Sequence, residues 1–590
     1  MSYKRLALFF LAVLIFIGGA AELPAVALQV TFPLDATTGD TRPRTSILKP
    51  RSLKEYFDRF DMSYYGDYYR YGTYGDRTRA FRPDDLYLTH NLSWLAASRM
   101  KNGLDYEIKL SLRTVTDPSV TFRDDVHITS FYSHLGRKDV WRVRTGDIFP
   151  NLSRYTFNRF AKGVQGEYQR TMGPSLMRSV GILSRVERSR EQNSLRRVAI
   201  GAGLSFESLN KERGKPKWFF GYRHSSASDQ LGSVDNARTL PDLQVATHGL
   251  LYSAQLKHGW SFLGENAWSK GTSDRRTAME RDGSAWLADL SWLRQGTTQR
   301  AGLARLAPFA FQFNWELVDP YFLAPIGIAS PNQLRWSGRT AHRFNDDLDW
   351  SMSFLRLEDN VRDQAVVTNV TRNSNIAVNM RPFHLFGDVT NWTDKLPESI
   401  KAIRTKLEFR FNDRDASNNS VNSKIEDYIY TVMYKLFDIN FTGDYQFQIT
   451  DDDAVPTSDR RLQAYGVRAA KPLNWKKMGV RIFPNIGYRV SRDRFRTTGV
   501  TTFLQTTTLG MAVNWEEIGA NFNYLILDAD RAPTGNDYSQ NKYNMSLTYK
   551  PYLFPNFQSV LSYSYLDQDE ENHLRSYRQT ETRLSVAYTF

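Results

Sequence analysis

The sequence predicts an all-β chain folded as a transmembrane up-and-down antiparallel β-barrel of about 26 strands, roughly 22–28 once boundary error is allowed for. Three observations predict it. Apolar and polar residues alternate with period two over many segments of about ten residues, the length that crosses a bilayer when tilted. The connectors between these segments alternate between short and long. The final segment alternates up to a terminal aromatic, Phe590.

The alternation is clearest in three places. In 103–113, Leu104, Tyr106, Ile108, Leu110 and Leu112 oppose Asp105, Glu107, Lys109, Ser111 and Arg113. In 403–412, Ile403, Thr405, Leu407, Phe409 and Phe411 oppose Arg404, Lys406, Glu408, Arg410 and Asn412. From 437 to 449, Phe437, Ile439, Phe441, Tyr445, Phe447 and Ile449 oppose Asp438, Asn440, Thr442, Asp444, Gln446 and Gln448. A soluble sandwich uses strands of about five or six residues. Here one face suits lipid and the other suits water over nearly twice that length.

Connectors after even-numbered segments are mostly short, as at 257–259, 344–347, 436 and 516–517. After odd-numbered segments they are longer and more polar: 225–241, 270–283, 413–424, 451–460, 528–541 and 567–578. Short turns on one side and long loops on the other mark an outer-membrane barrel with both termini in the periplasm. The connector 381–402 is long on the short-turn side and breaks this rule.

Before the first strand, Lys4 and Arg5 precede the apolar run Leu6–Ile17, and Ala25-Val26-Ala27 offers a small-residue cleavage site. Residues 1–27 therefore read as a cleaved signal peptide. Residues 28–58 read as a periplasmic latch, a lumen plug or a loose leader, and 59–590 as the barrel. The barrel needs no separate cores, so the 590 residues do not imply several domains. A non-helical chain can span lipid only when its backbone groups are satisfied by closure.

Composition removes other classes. With no cysteine among 590 residues, disulfides, thiolate metal sites and covalent haem attachment are excluded. The nine histidines show no metal spacing. Gly259–Gly264 is one residue too long for a nucleophile elbow, and no phosphate-binding loop of the nucleoside triphosphatase type is present. The expectation is no enzyme, no cofactor and no metal. Asp451-Asp452-Asp453 reads as a solvated acidic tip before it reads as a calcium site. The net charge of +14 raises nucleic acid as a partner. The cations are spread over strands and loops of an exported chain, so nucleic acid is not expected.

The closing segment resembles the C-terminal assembly signal of bacterial outer-membrane barrels in its residues Leu584, Val586, Tyr588 and Phe590. The resemblance implies insertion by the barrel assembly machinery into outer-membrane lipid.

The polar faces should line the lumen. They offer Lys109, Arg113, Arg142, Arg144, Arg404, Lys406, Arg410, Arg481, Arg489 and Arg583 against Asp105, Glu107, Glu408, Asp438 and Asp444. This net positive wall reads as an anion path, as a docking surface for an acidic partner, or as a wall stiffened by ion pairs. The connector 147–160 mixes aromatics with Arg154, Arg159 and the adjoining Lys162. Folded into the pore, it would bury the aromatics and present the cations as a constriction. Folded on itself, it would be an extracellular loop. The apolar connector Pro320–Ile328 poses the same choice.

In strand number, export signal and basic lumen the chain resembles the scaffold barrels of porin–cytochrome electron conduits. That resemblance implies a separate periplasmic multihaem cytochrome, because this chain has no cysteine to attach haem. Three other classes stay open: an anion-preferring diffusion channel, an exporter of an anionic polymer, and an assembly barrel holding a lipoprotein plug.

Overall fold

The computed structural model describes residues 58–75, 86–100, 103–115, 127–186, 196–209, 217–230, 242–275, 279–294, 309–345, 347–362, 365–385, 396–532, 537–571 and 576–589. The expected signal peptide 1–27, all but one residue of the expected leader 28–58, and the expected assembly-signal residue Phe590 lie outside these residues.

Strand formation follows from the alternation. In Phe309–Val318, Phe309, Phe311, Phe313, Trp315 and Leu317 fall on one face, and Ala310, Gln312, Asn314, Glu316 and Val318 on the other. Aromatic and β-branched residues fit a pleated surface, and only sheet pairing satisfies their backbone in lipid.

The first wall section comprises β1 (Arg59–Gly75), β2 (Leu86–Arg99), β3 (Leu104–Val115), β4 (His127–Arg137) and β5 (Trp141–Ile148). The second comprises β6 (Ala161–Met172), β7 (Ser175–Val186), β8 (Arg196–Ser208), β9 (Lys217–Gln230), β10 (Gln244–Gln255), β11 (Trp260–Thr272), β12 (Arg281–Arg294) and β13 (Phe309–Val318). The third comprises β14 (Gln333–Arg343), β15 (Leu348–Asp359), β16 (Asn369–Met380), β17 (Arg404–Ala416), β18 (Asn422–Leu436), β19 (Ile439–Asp452) and β20 (Arg460–Ala470). The last comprises β21 (Val480–Phe495), β22 (Thr501–Trp515), β23 (Ile518–Ala532), β24 (Tyr538–Tyr549), β25 (Phe557–Glu570) and β26 (Tyr577–Thr589). A three-residue stub, Leu473–Trp475, folds back on β21 inside one turn and adds nothing to the circumference.

Each strand pairs antiparallel with its sequence neighbours, and β26 closes on β1, from Ser63 opposite Thr589 to Gly75 opposite Tyr577. The result is a closed 26-stranded up-and-down barrel with no free edge. The start of β1 and the end of β26 share one mouth, the terminal mouth, which also carries the tight turns. Phe437 and Asp438 make one such turn with positive φ at both residues, 47° and 62°, the geometry that suits a two-residue hairpin. The opposite mouth carries most of the longer connectors; 295–308 and 381–403 are the exceptions, at the terminal mouth.

Two expectations need correction. Phe437 and Asp438 form that turn rather than opening β19, and Asp438 pairs with Lys435 at 3.0 Å, outside the lumen wall. The expected loops 413–424 and 528–541 are shorter, because β17 runs to Ala416, β18 starts at Asn422, β23 runs to Ala532 and β24 starts at Tyr538. Above the lipid both faces of a strand meet water. Alternation therefore fades while pairing continues. The described residues of the connector 381–403 include two short helices, α1 (Pro382–Leu385) and α2 (Glu398–Lys401).

Candidate functional site: the lumen and its inward loops

The register fixes which side chains share a face. The outer face is apolar and bare: Leu183 is 59% exposed, Ile200 50%, Val467 60% and Tyr465 58%. The inner face carries the ion pairs. Along β17 it presents Arg404, Lys406, Glu408, Arg410, Asn412 and Arg414, opposite Asn379, Ala377, Asn375 and Asn373 of β16. A closed hydrogen-bonded wall, apolar outside and charged inside, is stable only across a membrane. The chain is a transmembrane β-barrel of the outer-membrane type. No protein-family description matches its sequence, and no curated protein matches it. Among solved structures, the translocation pore of the P pilus usher PapC superposes over 90% of this chain and 99% of its own, at 11% identity and TM-score 0.32. Pseudomonas aeruginosa OccK5 covers 67% of this chain and 99% of its own, at 9% and 0.31. Wzi, a carbohydrate-binding β-barrel of capsule assembly in Escherichia coli, covers 60% and 80%, at 10% and 0.30. These superpositions are loose, and the barrel is defined by its own register and closure.

Two connectors from the opposite mouth fold inward and dock on one side of the wall. The first follows β5 (149–160) and the second follows β13 (319–332). The wall is prepared for them. The inner positions of β8 to β12 are small: Ala199, Gly201 and Gly203, then Ser225 and Ala227, then Thr247 and Gly249, then Ala267 and Ser269, then Gly283 and Ala285. Tyr155, Phe157 and Phe322 fill the space these leave and are fully buried, with Ile326 at 1% exposure. Two glycines are required by close approach. A Cβ at Gly283 would lie 2.2 Å from the backbone nitrogen of Phe322, and one at Gly327 2.4 Å from the carbonyl of Tyr155.

Polar contacts fix the docking. The loops pair with each other, Asn158 N donating to Ile326 O at 2.9 Å and Ile328 N to Arg154 O at 2.7 Å. The buried carboxylate of Glu265 accepts from the backbone N–H groups of Tyr155 and Arg154 at 3.1 and 3.2 Å. Glu316 accepts from the Tyr155 hydroxyl at 2.8 Å and from Arg154 at 2.7 Å. Burial, with Glu316 beside it, holds the Tyr155 phenol well above its ordinary ionisation range, so it stays a neutral donor. Arg223 donates to Leu152 O and Ser225 to Thr156 O, both at 3.0 Å. Arg197 and Asp229, 3% and 0% exposed, make a bidentate pair at 2.7 and 3.0 Å, and Arg197 also reaches Pro325 O at 3.4 Å. A buried pair tolerates desolvation only with its valences filled in this way.

The expected lumen residues fall into separate groups. Arg142 and Arg144 lie on the inner face of β5, and Arg144 bridges Glu167 at 2.8 Å. Arg154 is held by Glu316 rather than projecting freely, whereas Arg159 is exposed and donates to Pro325 O at 3.2 Å. Lys162 lies on the outward face of β6, opposite Asp147 and Arg185. Across the barrel, Lys406 and Arg410 flank Glu408 at 2.7 and 2.8 Å. Arg489 bridges Asp444 at 2.9 Å and donates to Gln446 at 2.6 Å. Arg404 and Arg481 sit on the inner face near the terminal mouth. Leu584, Val586 and Tyr588 lie on the outward face of β26, opposite Tyr68, Gly66 and Tyr64.

The acidic tip is spent on its own loop. Asp451 bridges Arg496, Asp452 caps the N–H groups of Ala454 and Val455, and Asp453 accepts from Asn422. Among the described residues no group of three metal-ligating side chains converges. Sequence reasoning missed Arg197, Asp229, Glu265 and Glu316. Their signal was a run of small inward residues interrupted by single charges.

Proposed function

We propose that the barrel is a trans-outer-membrane conduit whose lumen houses an inserted periplasmic partner, a multihaem cytochrome for extracellular electron transfer being the first candidate. One observation carries this reading: among the described residues, the two docked loops make their contacts with the inner wall between β5 and β13. The wall from β16 to β22 keeps cations half-exposed, with Arg410 at 52% and Arg489 at 43%. A barrel of this strand number encloses far more than a small-solute pore needs. Any haem would come from the partner. The test is purification of the barrel from detergent-solubilised outer membrane, followed by haem staining and mass spectrometry. A co-purifying haem protein and a low open conductance support the conduit. A barrel that purifies alone with a large, stable conductance overturns it.

A second reading, passage of an anionic polymer or small anion, is favoured by Arg404, Arg468 and Arg481. They line the lumen near the terminal mouth and have no ion-pair partner among the described residues. Anion preference in planar bilayers, lost on charge reversal at Arg404, Lys406 and Arg410, would select this reading over the conduit.

A further inference from the structure

The outward face of β20 and β21 shows a column ordered by depth. From the middle of the wall toward the long-loop mouth, β20 presents Val467, Tyr465, Gln463 and Arg461, and β21 presents Ile486, Tyr488, Val490, Arg492 and Arg494. Val467 and Ile486 are 60% and 52% exposed aliphatics, as lipid contacts require. Tyr465 and Tyr488 follow, Tyr465 tilted against Tyr445 with ring centroids 5.0 Å apart, where an aromatic belt belongs. The three arginines come next, at headgroup depth.

Their arrangement is costly as it stands. Arg461 and Arg494 are direct cross-strand partners, which places their Cβ atoms about 4.5–5.5 Å apart, and like charges in that position destabilise a sheet. Arg492 is two residues along the same face, about 6–7 Å away. None of the three has an ion pair among the described residues; Arg492 instead lies over the Phe503 ring at 5.4 Å. The neighbouring outward carboxylates do not relieve them. Asp451 on β19 is engaged by Arg496, and Asp530 stands a strand beyond, opposite Phe503. Elsewhere at this level the pattern differs: outward Arg372 is neutralised by Asp413 and Asp415.

We propose that Arg461, Arg492 and Arg494 form a clamp for the phosphorylated headgroup of an outer-leaflet glycolipid. Guanidinium forks match phosphate oxygens bidentately, and a phosphate between Arg461 and Arg494 converts their repulsion into shared attraction. Phe503 and Tyr488 support the sugar and acyl portions on the lipid side. The clamp faces lipid, so it is independent of what the lumen carries.

The test measures phosphate-bearing glycolipid retained per purified barrel, by mass spectrometry, for the wild type and for the triple variant Arg461→Gln, Arg492→Gln, Arg494→Gln. The control is Arg372→Gln. The triple variant should retain several-fold less glycolipid and the control the wild-type amount. Thermal stability supplies a second readout. In lipid-free detergent the triple variant should melt above the wild type, since repulsion is relieved. With added phosphorylated glycolipid the order should reverse. If inorganic phosphate alone produces the same stabilisation of the wild type, the clamp reads free anions and the lipid assignment falls. Equal retention by wild type and triple variant, or equal loss in the control, overturns the clamp.

Discussion

The two halves of the inner wall solve the same problem in opposite ways. From β8 to β12 the inner residues are mostly small, two loops lie on them, and the charge pair Arg197–Asp229 is buried and bidentate. From β16 to β22 small inner residues alternate with long cations, nothing among the described residues covers them, and cations such as Arg410 and Arg489 stay half-exposed beside their carboxylates. Similar ion-pair chemistry therefore means different things on the two sides. On the covered side it is structural, because low dielectric and desolvation make each partner essential. On the open side water screens it, so it adds little stability and is free to meet a solute or partner.

The largest effect should come from Arg197→Ala. It strands Asp229 in the covered wall, with an expected cost of about 3–5 kcal/mol, whereas Arg489→Ala on the open wall should cost no more than about 1 kcal/mol. Denaturant unfolding of the refolded barrel compares them, and equal costs would erase the distinction between the halves. Next comes Ala227→Leu. Overpacking at this buried position should cost about 1–3 kcal/mol and displace the loops, raising conductance and exposing 149–160 to protease. The matching enlargement on the open side, Asn375→Leu, should change neither.

Glu265→Gln is subtler. The side chain keeps its shape but loses the charge that accepts from Tyr155 and Arg154, so docking should weaken by about 1–2 kcal/mol. Larger conductance fluctuations with unchanged barrel heat-modifiability would report it, and a quiet channel would show that apolar packing alone holds the loops. Smallest in stability is Glu408→Gln: Glu408 is buried, but its partners Lys406 and Arg410 are 36% and 52% exposed, so water screens much of the pair and the expected loss is about 1 kcal/mol. Its readout is ion selectivity: removing the shared carboxylate should move the reversal potential toward anions. No movement would mean that these cations face nothing that passes.

Lys406, Glu408 and Arg410 were placed on one lumen face because a two-residue period is local, and β17 keeps it without interruption. Lys162 was grouped with Arg154 and Arg159 by proximity in sequence, but β6 begins at Ala161 and its register turns Lys162 outward. Asp438 was counted with the lumen because the alternation runs smoothly through Phe437, and only the positive φ of the turn ends the strand there. For the connectors 149–160 and 319–332, composition allowed two outcomes equally. The contacts that decide between them join Tyr155 to Glu316 and Leu323 to Ser269.

What the sequence by itself determined was the barrel: its strands, their two faces and an even count. Lipid and water impose those demands residue by residue, and a chain that alternates for about ten residues at a time has one way to satisfy its backbone in a membrane. What only the tertiary structure decided was the asymmetry of the lumen. Whether an inner Ala or Gly is a gap or a seat depends on what arrives from a loop more than 100 positions away, as when Arg154 and Tyr155 reach Glu265. Burial, and with it the difference between a structural charge and an available one, exists only once those distant segments meet.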